Sequence, residues 1–418
     1  MEEDRKLNSG YSWLQFAIVF FAGVAVAMGM FKVPYNMPFI MGYFGAEIGQ
    51  ASLLMAVVGM GCLITALPAG GVMQKIGVKK FGIAIMICGI LECVIGSLAT
   101  SMEMLIASRV LCAISFGCMS MVCVAVVSGG FTPEKRGLPN GIWVIWVPIA
   151  QLFAAQLANL ISPSFGWQGE WVAVAIIQAV ALILFIIFVK NPAPSVADED
   201  LREEAMEKPS IVDGLKEPGP WLLTLVISGI AFGASLYSGI YPTFLSDPNG
   251  QGLSLVEANN IVSIGSFGAI AGSILVGFII NKVKPTKRGI LMAIIAVLAT
   301  LTFAVCFSIP TAIIAVFVVW FSFVSNFHMP VAFAWTPDVL KNPRTLGMAS
   351  GIMMIGTNIG GALGVLVPSM MIEAAGGQWT ACLPLIVGLS IASIVLAIVL
   401  HVYVQKAVLP VRPDLEGK

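Results

Sequence analysis

A few ionisable side chains interrupt long apolar stretches of this sequence. Lys32, Glu92 and Arg109 lie in the first half of the chain and His328 in the second. A Lys, Arg or Asp at the centre of a membrane helix costs about 2.5–3.5 kcal/mol, so such residues usually face a cavity or a partner. Arginine binds a carboxylate through two hydrogen bonds, and lysine adds a point charge. Lys32 and Arg109 are therefore candidate ligands for an anion, and Glu92 and His328 are candidate proton-coupling groups.

The surroundings of Lys32 extend this candidate site. In the stretch GMFKVPYNMPF, Tyr35 and Asn36 follow Lys32 by three and four residues and share its helical face. Pro34 removes a backbone hydrogen bond and is expected to kink the helix there. A kinked polar face suits a binding cavity, so Tyr35 and Asn36 are candidate ligands as well. The alternative is that Lys32 extends its ammonium group to the outer membrane surface.

Uncharged polar residues within apolar stretches are weaker candidates. Gln151, Tyr237, Tyr241 and Asn358 could line a binding cavity, with Tyr237 and Tyr241 one helical turn apart. Each could equally join neighbouring helices through a hydrogen bond, and the sequence leaves both alternatives open.

The composition places these residues in a membrane protein. The chain has 418 residues, of which 58% are hydrophobic and 11% charged, and its mean hydropathy is +0.95. Soluble domains carry about 25% charged residues. Apolar runs of about 20 residues are long enough to cross a bilayer as helices, which predicts an all-α membrane protein with twelve spans. The predicted spans are 13–40, 48–70, 81–100, 104–128, 138–161, 170–190, 220–243, 256–281, 289–308, 311–334, 346–373 and 379–404.

The basic residues predict the orientation of these spans. All Lys and Arg residues except Lys32 and Arg109 lie at the termini or in every second connection between spans. Positive residues stay on the cytoplasmic side during insertion, so both termini are expected in the cytoplasm. Short outer connections without glycosylation sequons favour a bacterial inner membrane. The formal net charge of zero does not indicate nucleic-acid binding, and the eight cysteines, which form no CxxC pair, predict neither a metal site nor a disulfide framework.

The sequence consists of two related halves that one polar segment separates. Residues 191–219 are the only long polar stretch, which predicts six-helix bundles at 1–190 and 220–418 with a cytoplasmic linker between them. GGVMQKIGVKK after span 2 matches GFIINKVKPTKR after span 8, and Thr132-Pro133-Glu134 matches Thr336-Pro337-Asp338. Paired halves are the arrangement by which secondary transporters alternate a midplane site between two sides.

The pattern resembles the major facilitator superfamily over the whole chain. The family's loop between spans 2 and 3 reads G-x-L-a-D-r-x-G-r-k, and the resemblance implies a latch that favours the outward-facing state. Gln74 stands where the family usually has aspartate, and Asn281 takes that place in the second copy. The resemblance therefore implies a weaker latch, or one built with amide hydrogen bonds. The implied latch residues are Gly70, Gln74, Lys75, Gly77, Lys79, Asn281 and Lys282.

The resemblance also bears on the charged candidates. LIASRVLCAISFG is similar to the family's span-4 motif, in which the arginine at the position of Arg109 faces a central cavity and is tied to substrate or proton coupling. The alternative is an arginine satisfied by backbone carbonyls of span 1. Helix 3 tends to lie at the periphery in this family, which gives Glu92 a structural alternative. His328 has the alternative of a packed histidine near the cytoplasmic end.

Two cations that no intramembrane aspartate matches favour a small organic anion as substrate. We expect a carboxylate, moved by alternating access as proton symport or in exchange for a counter-anion. The alternative is a proton-coupled exporter of drugs or other hydrophobic compounds. The family's span-5 antiporter signature weakens that alternative, since only Pro148 of the signature remains. We predict no enzyme and no cofactor, because the two histidines belong to no H-E-x-x-H or G-x-S-x-G constellation. The resemblance implies a monomer.

Overall fold

The computed structural model describes residues 7–132, 135–191 and 211–415, and each element within them is a helix. The all-α prediction is confirmed. Most of the predicted linker, residues 192–210, and Pro133-Glu134 of the first repeat motif lie outside the described residues. The helices up to the linker are α1 (Gly10–Phe44), α2 (Ile48–Ile76), α3 (Val78–Ser97), α4 (Met102–Gly130), α5 (Gly137–Trp143) and α6 (Trp146–Phe188).

The second half continues with shorter and longer helices in alternation. These are α7 (Ile211–Lys216), α8 (Pro218–Gly239), α9 (Tyr241–Ser246), α10 (Leu255–Lys282), α11 (Arg288–Val305), α12 (Ile314–Ser325), α13 (His328–Trp335), α14 (Leu346–Ala374) and α15 (Leu383–Tyr403). A π-helical turn, Val404–Val408, follows α15. Short 3-10 turns occupy Pro285–Lys287, Thr311–Ile313, Thr336–Val339, Pro343–Thr345, Trp379–Cys382, Leu409–Val411 and Pro413–Leu415.

Ten segments of the described chain are long and apolar enough to cross a membrane. The difference from the twelve predicted spans has two sources. Predicted spans 5 and 6 fall in one segment, Gly137–Phe188, and predicted span 3 corresponds to α3, which carries Lys79, Lys80 and Glu92. Within the long segment, Gly166 has φ 68° and ψ 173°, a conformation open only to glycine, and it interrupts the helix. The count of twelve stays a prediction.

The described chain forms two compact units. The N-terminal unit is Met1–Phe44 with Met60–Glu207, and the C-terminal unit is Gly45–Gly59 with Lys208–Lys418. In the N-terminal unit, α1 packs on α4 and α6, and α3 packs on the same two helices. In the C-terminal unit, α8 packs on α14 and α15, α10 on α12, and α11 on α15.

Several helix starts follow from local sequence. At α10 the Ser254 hydroxyl accepts a hydrogen bond from the Glu257 amide, and the Glu257 carboxylate accepts one from the Ser254 amide at 3.0 Å. This capping box satisfies two backbone donors that would otherwise lack partners. At α4 the Ser101 hydroxyl accepts from the Met104 amide. The polar residues just before apolar runs therefore set where these helices begin.

Small residues bring α14 close to α8. A methyl group added at Gly356, Gly360 or Gly364 would collide with the backbone of α8. The Gly360 position, for example, faces the carbonyl oxygen of Ser228. Membrane helices associate through such close packing, because lipid offers no hydrophobic driving force between them. The spacing of four between these glycines places all three on the face of α14 that contacts α8.

One carboxylate organises the connection between α13 and α14. Glu217 immediately precedes α8 and is largely buried. It accepts hydrogen bonds from the backbone amides of Lys341 at 2.9 Å and Asn342 at 3.1 Å, and from the Thr345 hydroxyl at 3.0 Å. The last residues of the polar segment are thus part of the folded C-terminal unit.

Candidate functional site

The N-terminal unit contains a buried triad of charged side chains. Lys32 on α1 places Nζ 2.6 Å from Glu92 Oε2, and Arg109 on α4 places Nη1 2.8 Å from Glu92 Oε1. All three residues are 0% exposed. A buried charge is tolerated only when it is paired and hydrogen-bonded, and here one carboxylate on α3 bridges two cations. The triad therefore joins three helices and carries one more positive than negative group.

A proline explains how Arg109 docks on α1. Arg109 Nη1 donates to the Gly29 carbonyl at 2.8 Å, and Nη2 donates to the Met30 carbonyl at 3.0 Å. Pro34, four residues after Met30, has no N–H to give that carbonyl, so the helix leaves an acceptor free. The guanidinium supplies the missing donor. The kink-forming residue seen in the sequence thus creates part of the arginine's binding site.

Lys32 has further partners besides Glu92. Its Nζ lies 3.0 Å from the Cys93 sulfur and 4.6 Å from the centre of the Trp171 ring. The face of an aromatic ring attracts a cation, and more strongly where water is absent. The ammonium group is therefore held from three sides by residues of α3 and α6.

A second polar cluster lies one turn along α1. Asn36 Nδ2 donates to the Lys32 carbonyl at 2.9 Å and to Glu170 Oε2, while Asn36 Oδ1 accepts from the Ser162 hydroxyl at 2.6 Å. Glu170 is 0% exposed, and its Oε1 has no hydrogen-bond partner among the described residues. Together with the triad these groups form the buried polar network: Lys32, Asn36, Glu92, Arg109, Ser162 and Glu170.

The structure corrects one expectation about these charges and decides against two alternatives. Lys32 and Arg109 are not without an intramembrane carboxylate, since Glu92 pairs with both. Glu92 does not face the periphery, because its side chain points among α1, α3 and α4. Lys32 does not extend to the outer surface, because it is fully buried. The carbonyl contacts proposed as the alternative for Arg109 are present, in addition to its ion pair.

Sequence reasoning missed Glu170. The predicted span 6 began at this residue, so Glu170 was placed at the outer end of a span and was not considered as a site residue. In the structure Glu170 is buried within α6, four residues after the Gly166 break. One signal was available: the predicted outer connections contain no Lys or Arg that could pair with this carboxylate.

The remaining candidates fall in both units. Tyr35 and Gln151 are buried in the N-terminal unit. In the C-terminal unit the hydroxyls of Tyr237 and Tyr241 donate to the carbonyls of Val262 and Cys306, each at 2.7 Å. These bonds are the helix-joining contacts that the sequence left open as the alternative.

Two further candidates of the C-terminal unit bond within their own segments. Asn358 is half-buried and donates to the Met354 carbonyl at 2.9 Å. His328 is buried at the start of α13, with Nδ1 2.8 Å from the Ser325 carbonyl. The binding and proton-coupling roles of these residues stay predictions.

The latch residues predicted in the first half lie around the junction of α2 and α3. Gly77 has φ 85° and starts α3, while Gln74 and Lys75 are exposed. Lys79 donates from Nζ to the Ile186 carbonyl at 2.6 Å and from its amide to the Asn191 side chain at 2.8 Å. This junction is thus tied to the end of α6. Gly70 lies within α2, Lys282 is exposed at the end of α10, and the side chain of Asn281 lies outside the description.

The second half has an ion pair that the latch pattern did not indicate. Arg288 Nη1 lies 2.7 Å from Asp338 Oδ2 and also donates to the Ala334 carbonyl at 2.7 Å. It links the start of α11 to the turn after α13. Asp338 is the acidic residue of the second Thr-Pro-acid motif, so the repeated motif was the signal that could have found this pair.

Long apolar helices with buried ion pairs define a multi-pass membrane protein of the transporter class. The family model of the Major Facilitator Superfamily matches residues 19–344. The chain belongs to that superfamily, and the sequence-based prediction is confirmed.

Curated relatives of several kinds match this chain. It is 22% identical over 376 residues to a hexuronate transporter of Bacillus subtilis, and this match covers 86% of this chain and 87% of the relative. It is 24% identical over 368 residues to the multidrug resistance protein MdtL of Escherichia coli, covering 86% and 89%. It is 27% identical over 189 residues to an arabinose-proton symporter of Escherichia coli, covering 44% and 39%.

Solved structures show the same fold. A D-xylose-proton symporter matches with a TM-score of 0.71 at 13% identity, covering 98% of this chain and 100% of that one. The nucleoside transporter NupG matches with a TM-score of 0.73 at 15% identity, covering 93% and 99%. The chain is therefore a transporter by fold and family, and these relatives differ in what their names say they carry.

Proposed function

We propose that this chain is a secondary active transporter for a small organic anion, a carboxylate, which it moves by alternating access as proton symport or anion exchange. The observation that carries the proposal is the buried triad, in which Lys32 and Arg109 share the single carboxylate of Glu92. Two cations for one ion-paired carboxylate leave the triad with a surplus positive charge. Buried ionisable residues in membrane helices mark substrate or ion pathways.

The surplus charge can act on an anion without direct contact. Both cations are closed off from solvent in this structure. At an effective dielectric constant of about 20, a unit charge still attracts an anion about 8 Å away by about 2 kcal/mol. We therefore infer that the triad attracts the substrate through its field in this conformation. Direct contact with Arg109 would require the Glu92 carboxylate to move away.

The relatives support a carboxylate without deciding which one. A hexuronate is a sugar acid, and the hexuronate transporter matches this chain over most of its length. A sugar acid is thus the first class of carboxylate to test. The arabinose-proton symporter supports proton coupling, one of the two proposed driving mechanisms.

Uptake into proteoliposomes tests the proposal. We expect purified protein to transport radiolabelled sugar acids or short carboxylates, and not neutral hexoses. Transport should fall by at least about tenfold in Arg109→Gln and Lys32→Gln, since each removes the surplus charge. Lys406→Gln is the matched control, because Lys406 is an exposed lysine and its loss changes the total charge equally.

A drug exporter is the second candidate function. MdtL matches this chain over the same share as the hexuronate transporter. Trp146 stacks on Trp143 at 4.7 Å and on Phe116 at 5.3 Å, and stacked rings of this kind suit flat apolar compounds. Flux of hydrophobic cations only, unchanged in Arg109→Gln, would favour this function and contradict the anion proposal.

A further inference from the structure

Glu170 is a buried carboxyl group outside the triad. Its backbone lies in the first turn after the Gly166 break, between Trp167 and Trp171, which are 2% and 0% exposed. Among the described residues no Lys or Arg nitrogen lies within ion-pair distance of Glu170. Its described hydrogen-bond donor is the neutral amide of Asn36, which reaches Oε2 and leaves Oε1 unpartnered.

Asn36 couples Glu170 to the triad. The same Nδ2 that donates to Glu170 also donates to the backbone carbonyl of Lys32. The Lys32 ammonium lies over the ring of Trp171, the residue next to Glu170. A change in the charge of Glu170 is therefore felt at Lys32 through a short path of fully buried groups.

The charges of the network balance only when Glu170 is ionised. Lys32 and Arg109 are positive and Glu92 is negative, so an ionised Glu170 makes the sum zero. A protonated Glu170 leaves a surplus of one positive charge. The Cys93 thiol on α3, which lies 3.0 Å from Lys32 Nζ, does not alter this count in its neutral form.

We propose that Glu170 is the proton-binding group that couples proton movement to anion movement. The inference rests on the proposed function and selects symport over exchange. When Glu170 accepts a proton from solution, the network becomes net positive, and one bound carboxylate restores neutrality. Release of the proton on the other side returns the balance to zero and weakens the hold on the anion. One proton thus accompanies one carboxylate.

The geometry favours Glu170 over the sequence-predicted proton sites. Protonating Glu92 would leave Lys32 and Arg109 buried without a counter-charge, whereas Glu170 has no ion pair to lose among the described residues. His328 lies in the C-terminal unit, outside the buried polar network. The test therefore starts with Glu170.

The variant Glu170→Gln separates coupling from transport. It keeps the network permanently net positive, as protonation would. We expect carboxylate exchange across the membrane to remain measurable, while accumulation driven by a proton gradient disappears. Alkalinisation of the outer medium during uptake should disappear as well. Glu373→Gln is the matched control, since Glu373 is an exposed glutamate of α14 and should remain coupled.

A second variant keeps the proposal testable if Glu170→Gln does not fold. Asn36→Ala removes the donor that stabilises the ionised carboxylate, so the pH above which uptake declines should rise by about one unit. An unchanged pH profile in Asn36→Ala, or proton uptake that persists in Glu170→Gln, overturns the assignment of Glu170. Failure of the wild-type protein to transport any carboxylate would instead overturn the proposed function.

Discussion

The interiors of the two units are held together by different chemistry. In the N-terminal unit, Glu92 bridges two buried cations on separate helices. The core of the C-terminal unit is joined by small residues and hydroxyl groups, as where Gly360 meets Ser228 and where Thr224 donates to the Ile352 carbonyl at 2.9 Å. Its described ion pairs, Arg288 with Asp338 and Arg412 with Asp414, lie at helix ends and in the turns near the C-terminus.

This difference teaches that the sequence repeat does not extend to the interior. The halves share loop motifs, such as the Thr-Pro-acid sequence, while their helix-facing residues have diverged. Helices in a membrane can associate through close packing or through polar contacts. Close packing suffices for structure, so the costly alternative of buried charge in the N-terminal unit points to function.

Removing the bridging carboxylate should give the largest effect. Glu92→Leu leaves Lys32 and Arg109 as buried cations without a counter-charge, which should cost about 3–5 kcal/mol in the free energy of unfolding. The additional change Lys32→Met should recover part of this loss, because it removes one of the unpaired charges. Equilibrium unfolding of the detergent-solubilised protein measures both variants.

The control for this prediction is Glu47→Leu, which removes an exposed glutamate just before α2. It should change the free energy of unfolding by less than about 1 kcal/mol. Equal effects of Glu92→Leu and Glu47→Leu would contradict the contrast between the two units.

Substitutions at two adjacent glycines should change the free energy of unfolding by intermediate amounts and in opposite directions. Gly360→Ala places a methyl group against the Ser228 carbonyl, and forcing α14 from α8 should cost about 1–3 kcal/mol. Gly361→Ala meets nothing within 4 Å and should stabilise the helix by up to about 1 kcal/mol. Thermal unfolding compares the two, and two changes of the same sign would show that close packing does not hold α8 and α14 together.

A hydroxyl that joins two helices should give the smallest effect. Thr224→Val removes the donor to the Ile352 carbonyl of α14 and should cost about 0.5–1.5 kcal/mol. Thr300→Val removes a hydroxyl that donates only within α11, to Ala296, and should cost less. Equilibrium unfolding of the two single variants in detergent compares their losses in the free energy of unfolding. If the loss at Thr300 is the larger, interhelical hydroxyl contacts do not support the C-terminal unit.

Much of the fold could be predicted from the sequence. Apolar runs of about 20 residues gave the helices, and the orientation inferred from Lys and Arg stays a prediction. The break at Gly166 falls in the connection predicted between spans 5 and 6, residues 162–169, and its positive φ shows which residue of that connection interrupts the helix.

The site was harder to predict than the fold. Lys32, Arg109 and Glu92 were identified individually, but their pairing was not, because Lys32 and Glu92 are 60 residues apart on helices that are apolar all round. Such helices show no polar face that would indicate which side turns inward. Glu170 was missed for a different reason: the predicted boundary put it at the first position of span 6, beside the outer connection, whereas the structure buries it within α6.

The contacts of Glu217 limit where the polar segment between the halves can vary. A spacer of this composition is commonly treated as the natural place for an inserted tag or fluorescent reporter. Glu217 accepts hydrogen bonds from Lys341, Asn342 and Thr345, which lie in the connection before α14. An insertion just before α8 would therefore disturb a loop more than 120 residues away in sequence. We therefore expect insertions and sequence changes to be tolerated only in the part of the segment that precedes α7.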